Sequence, residues 1–193
     1  MKYLLLIPGF FLFMAGIVKA QNENPDSDNI KLEKQQMREA QKEHNKKIAY
    51  LRLMQYDSLL RTRQWVVEAN TIYDRYNRAL PVNSNLNFVS LRDSILTIQL
   101  SVSNTMPGAN GVGGVTFEGN VNRYELSNKT GKFLYLHCSA MTPVVGNSDL
   151  FINVYDNGRA SARVTDIQGN RYSFEGYIVS YQKSKVFKGM RTF

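Results

Sequence analysis

A chain of 193 residues with a net charge of +8, one cysteine and two histidines can bury one sizeable core, and several chemistries are excluded at once. A single cysteine forms no intramolecular disulfide, so stability must come from burial. His44, His137 and Cys138 stand outside any ligand spacing and specify no metal site, and no cofactor motif is present.

Residues 1–20 read as a secretory signal peptide. Lys2 supplies the positive start, residues 3–18 are apolar, and Val18-Lys19-Ala20 offers small residues for cleavage. The run is shorter than the roughly 20 apolar residues of a spanning helix, and Pro8 and Gly9 interrupt it. Cleavage before Gln21 predicts a periplasmic protein. A lipoprotein would carry cysteine at that point, so lipid attachment by that route is excluded.

Residues 21–29 (QNENPDSDN) contain no apolar side chain and one proline, which predicts a flexible polar leader. Residues 30–64 lack glycine and proline and are rich in strong helix formers, predicting a long helix capped by Asp28 or Asn29. The basic excess concentrates here, with nine Lys or Arg against four acids over residues 30–63. The first half of the helix is charged and reads as solvated. In the second half, Ala49, Leu53, Tyr56 and Leu60, flanked by Ile48 and Leu59, form an apolar stripe that must dock on something.

From Trp65 the hydrophobic period becomes alternating. Strands are predicted over residues 65–73, 86–91, 95–102, 115–126, 132–141, 149–155, 159–165 and 171–181, with Asn157-Gly158 the clearest hairpin turn. The fold class is mainly β: an antiparallel meander or small closed barrel of about eight strands over residues 65–193, preceded by one charged amphipathic helix. Leu134, Leu136, Cys138 and Ala140 share one strand face, as do Leu150, Ile152 and Val154, and Ala160, Ala162 and Val164. These are the expected core, with Cys138 a small buried hydrophobe. Phe133, Tyr135, Phe151 and Tyr155 give the same strands an apolar second face. That pattern predicts either a helix over part of this face or a closed barrel with one face lining an interior. The basic stretch after residue 182 reads equally as a last strand or a tail.

The glycine-rich segment 107–114 runs into an alternating strand rather than a helix, and no Gly-Lys-Ser/Thr follows. It is therefore read as a loop rather than a phosphate cradle. Glu68, Asp74, Glu118 and Glu175 could in principle supply a hydrolytic pair, although no spacing singles one out.

The arrangement resembles the Domain of Unknown Function 4251 family of exported bacterial proteins. The resemblance rests on Trp65-Val66-Val67-Glu68-Ala69, Asn85-Leu86-Asn87-Phe88-Val89, the stretch from Asn110 to Gly119, Asn157-Gly158-Arg159-Ala160, and Ser184-Lys185-Val186-Phe187-Lys188-Gly189. It implies export and a mostly β domain, and it brings no catalytic residues. The expected function is a non-enzymatic envelope protein that needs no cofactor and binds an apolar or amphipathic small molecule. Gly108, Gly111, Gly113 and Gly114 are the candidate loop gate, and Phe133, Tyr135, Phe151 and Tyr155 the candidate ligand contacts. The alternatives are a protein–protein interaction module and an envelope glycan hydrolase. Further expected partners are an envelope protein or an anionic membrane surface met by the basic helix, whereas nucleic acid is not expected.

Overall fold

The structure is a computed structural model that describes residues 25–74, 76–102, 108–128, 131–142, 146–165, 169 and 171–192. The expected signal peptide and the first residues of the expected leader lie outside these. The chain divides into two compact units, residues 1–42 and 43–193.

Helix α1 spans Pro25–Arg61, so it begins inside the expected leader and ends short of the expected residue 64. Proline breaks a helix only in its interior; in the first turn its missing N–H has no partner to lose. At the other end no glycine marks the stop. Arg63 takes the left-handed conformation (φ 55) that glycine usually supplies, while the amides of Thr62 and Arg63 bond back to the carbonyls of Leu59 and Leu60.

Among the described residues nine strands follow: β1 (Gln64–Tyr73), β2 (Ala79–Pro81), β3 (Phe88–Arg92), β4 (Ile95–Ser101), β5 (Gly114–Ser127), β6 (Phe133–Thr142), β7 (Gly146–Tyr155), β8 (Arg159–Thr165) and β9 (Arg171–Ser180). They pair antiparallel in the order β2-β1-β3-β4-β5-β6-β7-β8-β9, and β9 returns to pair with β1. The sheet is thus a closed eight-stranded barrel, with β2 an added strand on the far part of β1. Ala-Leu-Pro is too short to alternate, which hid β2 from the sequence.

Alternation decides what the barrel contains. Trp65, Val67, Val89, Leu91, Leu96, Ile98, Leu134, Leu136, Leu150, Ile152 and Phe174 are buried in one apolar cluster. Ala162 lies beside Phe174, and Ala160 beside Gly176, so small side chains on β8 leave room for large ones in a packed interior. Leu53 and Leu60 of α1 belong to the same cluster, with Tyr56 and Leu59 partly buried against it. The predicted stripe therefore docks on one end of the barrel, where each fully buried leucine contributes about 1.5–3 kcal/mol. At that end the Asn157-Gly158 turn, with Gly158 at φ +79, meets the helix: a β-carbon at Gly158 would lie 2.4 Å from the Tyr56 hydroxyl. Tyr124 ties the junction. It accepts from the Trp65 indole at 3.1 Å and donates to the Leu60 carbonyl at 2.6 Å, with the Arg63 guanidinium 4.7 Å above its ring.

After a 3-10 turn at Tyr181–Lys183, residues 184–192 form a strap across the outer face of β1, β4 and β5 rather than a further strand. The strap is held by residues that alternation would assign to solvent. Ser184 Oγ and the Lys185 amide donate to Glu68 Oε1, and Lys188 pairs with Glu118 at 2.6 Å. Gln99, fully buried on β4, donates to the Leu86 and Phe187 carbonyls and accepts from the Gly189 amide at 2.8 Å and from Thr116 Oγ1 at 2.9 Å. Gly189 passes so close to the barrel that a β-carbon there would sit 2.6 Å from the Asn110 carbonyl.

Two outcomes follow from this packing. Gly189→Ala should lower stability by about 1–3 kcal/mol, because the nearest atom is backbone and cannot yield cheaply; urea denaturation of the variant beside the parent measures it. Burial pushes both the Cys138 thiol and the Tyr124 phenol up to about 12, from ordinary values of 9.0 and 10.0. The folded state then holds protons that the unfolded chain has released, so stability falls as pH rises from about 9 towards 12. Denaturation midpoints at pH 8, 9.5 and 11 should decline, and less steeply in Cys138→Ala.

Candidate functional site

The barrel end away from Leu53 and Leu60 is open. A cleft of about 700 Å³ lies there, lined by Ile72 and Tyr73 at the end of β1, Leu80 of β2, Leu100 and Val102 at the end of β4, Gly114 and Val115 at the start of β5, and Arg171–Ser173 at the start of β9, with Asp74 and Gly169. The inward-facing set Ile72, Leu100, Val115 and Tyr172 follows from register: Ile72 pairs with the buried Phe174, Tyr172 with Val164, and Leu100 with Val115. Below them the interior is filled. The space is therefore a basin over a solid core, of a size that holds a small molecule.

Polar groups at the rim are mostly committed. Asp74 accepts from the amides of Tyr76 and Arg78 at 2.9 Å each and pairs with the Arg78 guanidinium at 2.6 Å. The backbone bond from Arg78 leads in holding its carboxyl below the ordinary range. The Tyr73 hydroxyl donates to Glu175 at 3.1 Å.

One edge of the cleft comes from the glycine-rich segment. Asn110, fully buried, organises it: Oδ1 accepts from the amides of Val112 at 3.0 Å and Gly114 at 2.9 Å, and Nδ2 donates to Thr116 at 3.1 Å. Gly108 bridges to Gly114, and a β-carbon at Gly111 would lie 3.3 Å from the Met190 methyl of the strap. Of the four candidate gate glycines, Gly114 lines the cleft; Gly108, Gly111 and Gly113 shape the loop behind it.

The four candidate aromatics are elsewhere. They occupy the odd positions of β6 and β7, opposite in face to Leu134, Leu136, Ile152 and Val154, and so point out of the barrel. Tyr135 is 37% and Tyr155 40% exposed. They pair across the strands, Phe133 with Tyr155 at 5.8 Å and Tyr135 with Phe151 at 6.2 Å. A shallower depression of about 320 Å³ lies beside Tyr135, Phe151, Asn153, Ser161 and Arg163. The glycine loop and the aromatics, expected around one space, belong to two.

His137 extends this outer strip. Its ring stacks on Phe151 at 4.6 Å, and Nε2 lies 3.0 Å from Asp149 Oδ1. Ser139 Oγ donates to the same oxygen at 2.5 Å, and that bond leads in holding the Asp149 carboxyl below its ordinary range. Serine and histidine both address the carboxylate, with no imidazole between serine and acid. This is not the relay of a nucleophilic triad. The carboxylates considered for hydrolysis have separate partners: Glu68 and Glu118 hold the strap, Asp74 closes the β1–β2 turn, and Glu175 meets Tyr73 and Arg159. Among the described residues no group of three or more His, Cys, Asp or Glu could hold a metal, and no helix is long and apolar enough to cross a membrane.

The sequence reading missed the lining of the cleft, which had one available signal. Strand ends usually turn polar, whereas Leu100, Val102, Val115 and Tyr172 keep strongly apolar character up to the turn.

No curated protein matches the chain. A crystal structure of a DUF4251 family protein from Bacteroides eggerthii DSM 20697, at 1.95 Å resolution, is similar with a TM-score of 0.57 and 23% sequence identity, over 74% of this chain and 96% of that one. The similarity supports the barrel fold. The family model described as "Domain of unknown function (DUF4251)" matches residues 50–178, two thirds of the sequence and nearly all of the barrel, so the chain belongs to the DUF4251 family.

Proposed function

We propose that the protein is a non-enzymatic binding module that takes an apolar or amphipathic small molecule into the open end of its barrel. The observation that carries this reading is the cleft of about 700 Å³ walled by Ile72, Leu80, Leu100, Val102, Val115 and Tyr172. An apolar surface left concave above a filled core gains free energy when something covers it, at about 25 cal/mol per Å². In this reading the protein is exported and works in the periplasm. The face of α1 bearing Lys31, Lys34, Arg38 and Lys42 suits contact with an anionic surface there.

A protein–protein module is the second reading, and the outer strip of Tyr135, Phe151 and Tyr155 favours it. An exposed run of paired aromatics is the chemistry that protein interfaces enrich.

Native mass spectrometry of residues 21–193 purified from the native host, followed by solvent extraction, separates the two. The expected result is a bound molecule released on extraction. Val115→Trp, which fills the basin, should lower occupancy at least tenfold while the thermal midpoint moves little. A clean apo mass with a retained protein partner, in both parent and variant, overturns the small-molecule reading.

A further inference from the structure

Arg171 stands at the rim of the cleft as a cation without a counterion among the described residues. It is exposed at the first position of β9, where alternation sets it on the outward face beside the inward Tyr172, and it borders the basin at the strand's end. Among the described residues its guanidinium has no hydrogen bond, ion pair or ring contact, in contrast to Arg61, Arg78, Arg123 and Arg159, each paired with a carboxylate. The one acid among the described residues of the cleft, Asp74, is already neutralised by Arg78 and two amides. Among the described residues the basin thus offers an apolar floor and one uncommitted positive charge at its edge.

Building on the small-molecule reading above, we infer that the ligand is a single-chain amphiphile with an anionic head, its alkyl chain on Ile72, Leu80, Leu100 and Val115 and its carboxylate or phosphate on Arg171. Arginine suits this role because its planar fork meets two oxygens of such a head at once. The apolar walls select for chain length, and the single rim cation selects for charge.

The test is titration calorimetry with dodecanoate, dodecyl phosphate, dodecanol and dodecyltrimethylammonium, each below its aggregation concentration. The anionic pair should bind at least tenfold tighter than the other two, and shortening the chain should weaken binding by about fourfold per methylene. Arg171→Gln should erase the head-group preference and leave dodecanol binding unchanged; Arg171→Lys should retain part of the preference. Thermal midpoints within a degree or two of the parent show that the variants fold.

Equal binding of all four heads, unaltered in Arg171→Gln, overturns the anion inference and leaves the apolar cleft standing. Binding of none of the four overturns both. Binding only to vesicles containing phosphatidylglycerol, with no response to the free amphiphiles, overturns the single-chain ligand.

Discussion

Everything in this molecule depends on the pairing of β1 with β9. These strands share eight register positions, from Trp65 opposite Ser180 to Tyr73 opposite Ser173, and that ladder turns a meander into a tube. On its other side β1 is divided: residues 64–68 pair with β3, and residues 71–73 with β2. The irregularity between Ala69 and Thr71 marks the change. An extra residue bends the strand and restores its alternation on the far side, so Ile72 faces inward as Trp65, Val67 and Ala69 do. Without that correction Ile72 would point to solvent and the cleft would lose part of its floor.

Closure also explains why two faces that read alike are so different. On β6 and β7 the inner face is mostly aliphatic, with Ser148 its buried polar exception, while the outer face carries aromatics that pair with one another. On β4 and β5 the outer face is polar in sequence yet buried in the fold. Gln99, Thr116 and Asn110 satisfy one another and the strap, so no donor or acceptor among them is stranded where water cannot reach it. The strap and the glycine loop meet at Asn110 and Gly189, and through Asn110 that seam sets one wall of the cleft.

Most of the architecture was legible in the sequence because it rests on period. The eight barrel strands appear within about three residues of their expected bounds, and Leu53 and Leu60 stand out as the docking stripe. What was not legible depends on contacts between polar residues far apart in the chain. Gln99 reads as a solvent-facing residue of an alternating strand, and nothing local announces that Phe187 and Gly189 will cover it. The candidate site was half legible for a related reason. Alternation sets Phe133, Tyr135, Phe151 and Tyr155 on the face opposite the expected core, but that this second face is the barrel's exterior is fixed only by closure and by the packing of α1.

The strap has a further consequence for the order in which the molecule is assembled. Its docking surface belongs to no single strand: Asn85 and Leu86 precede β3, Gln99 lies on β4, and Thr116 and Glu118 on β5. These groups become one surface only after the three strands have paired. The strap follows β9 and the 3-10 turn directly in the chain. Its docking therefore depends on those strands having paired, and it joins the completeness of that part of the sheet to the shape of the loop at its mouth.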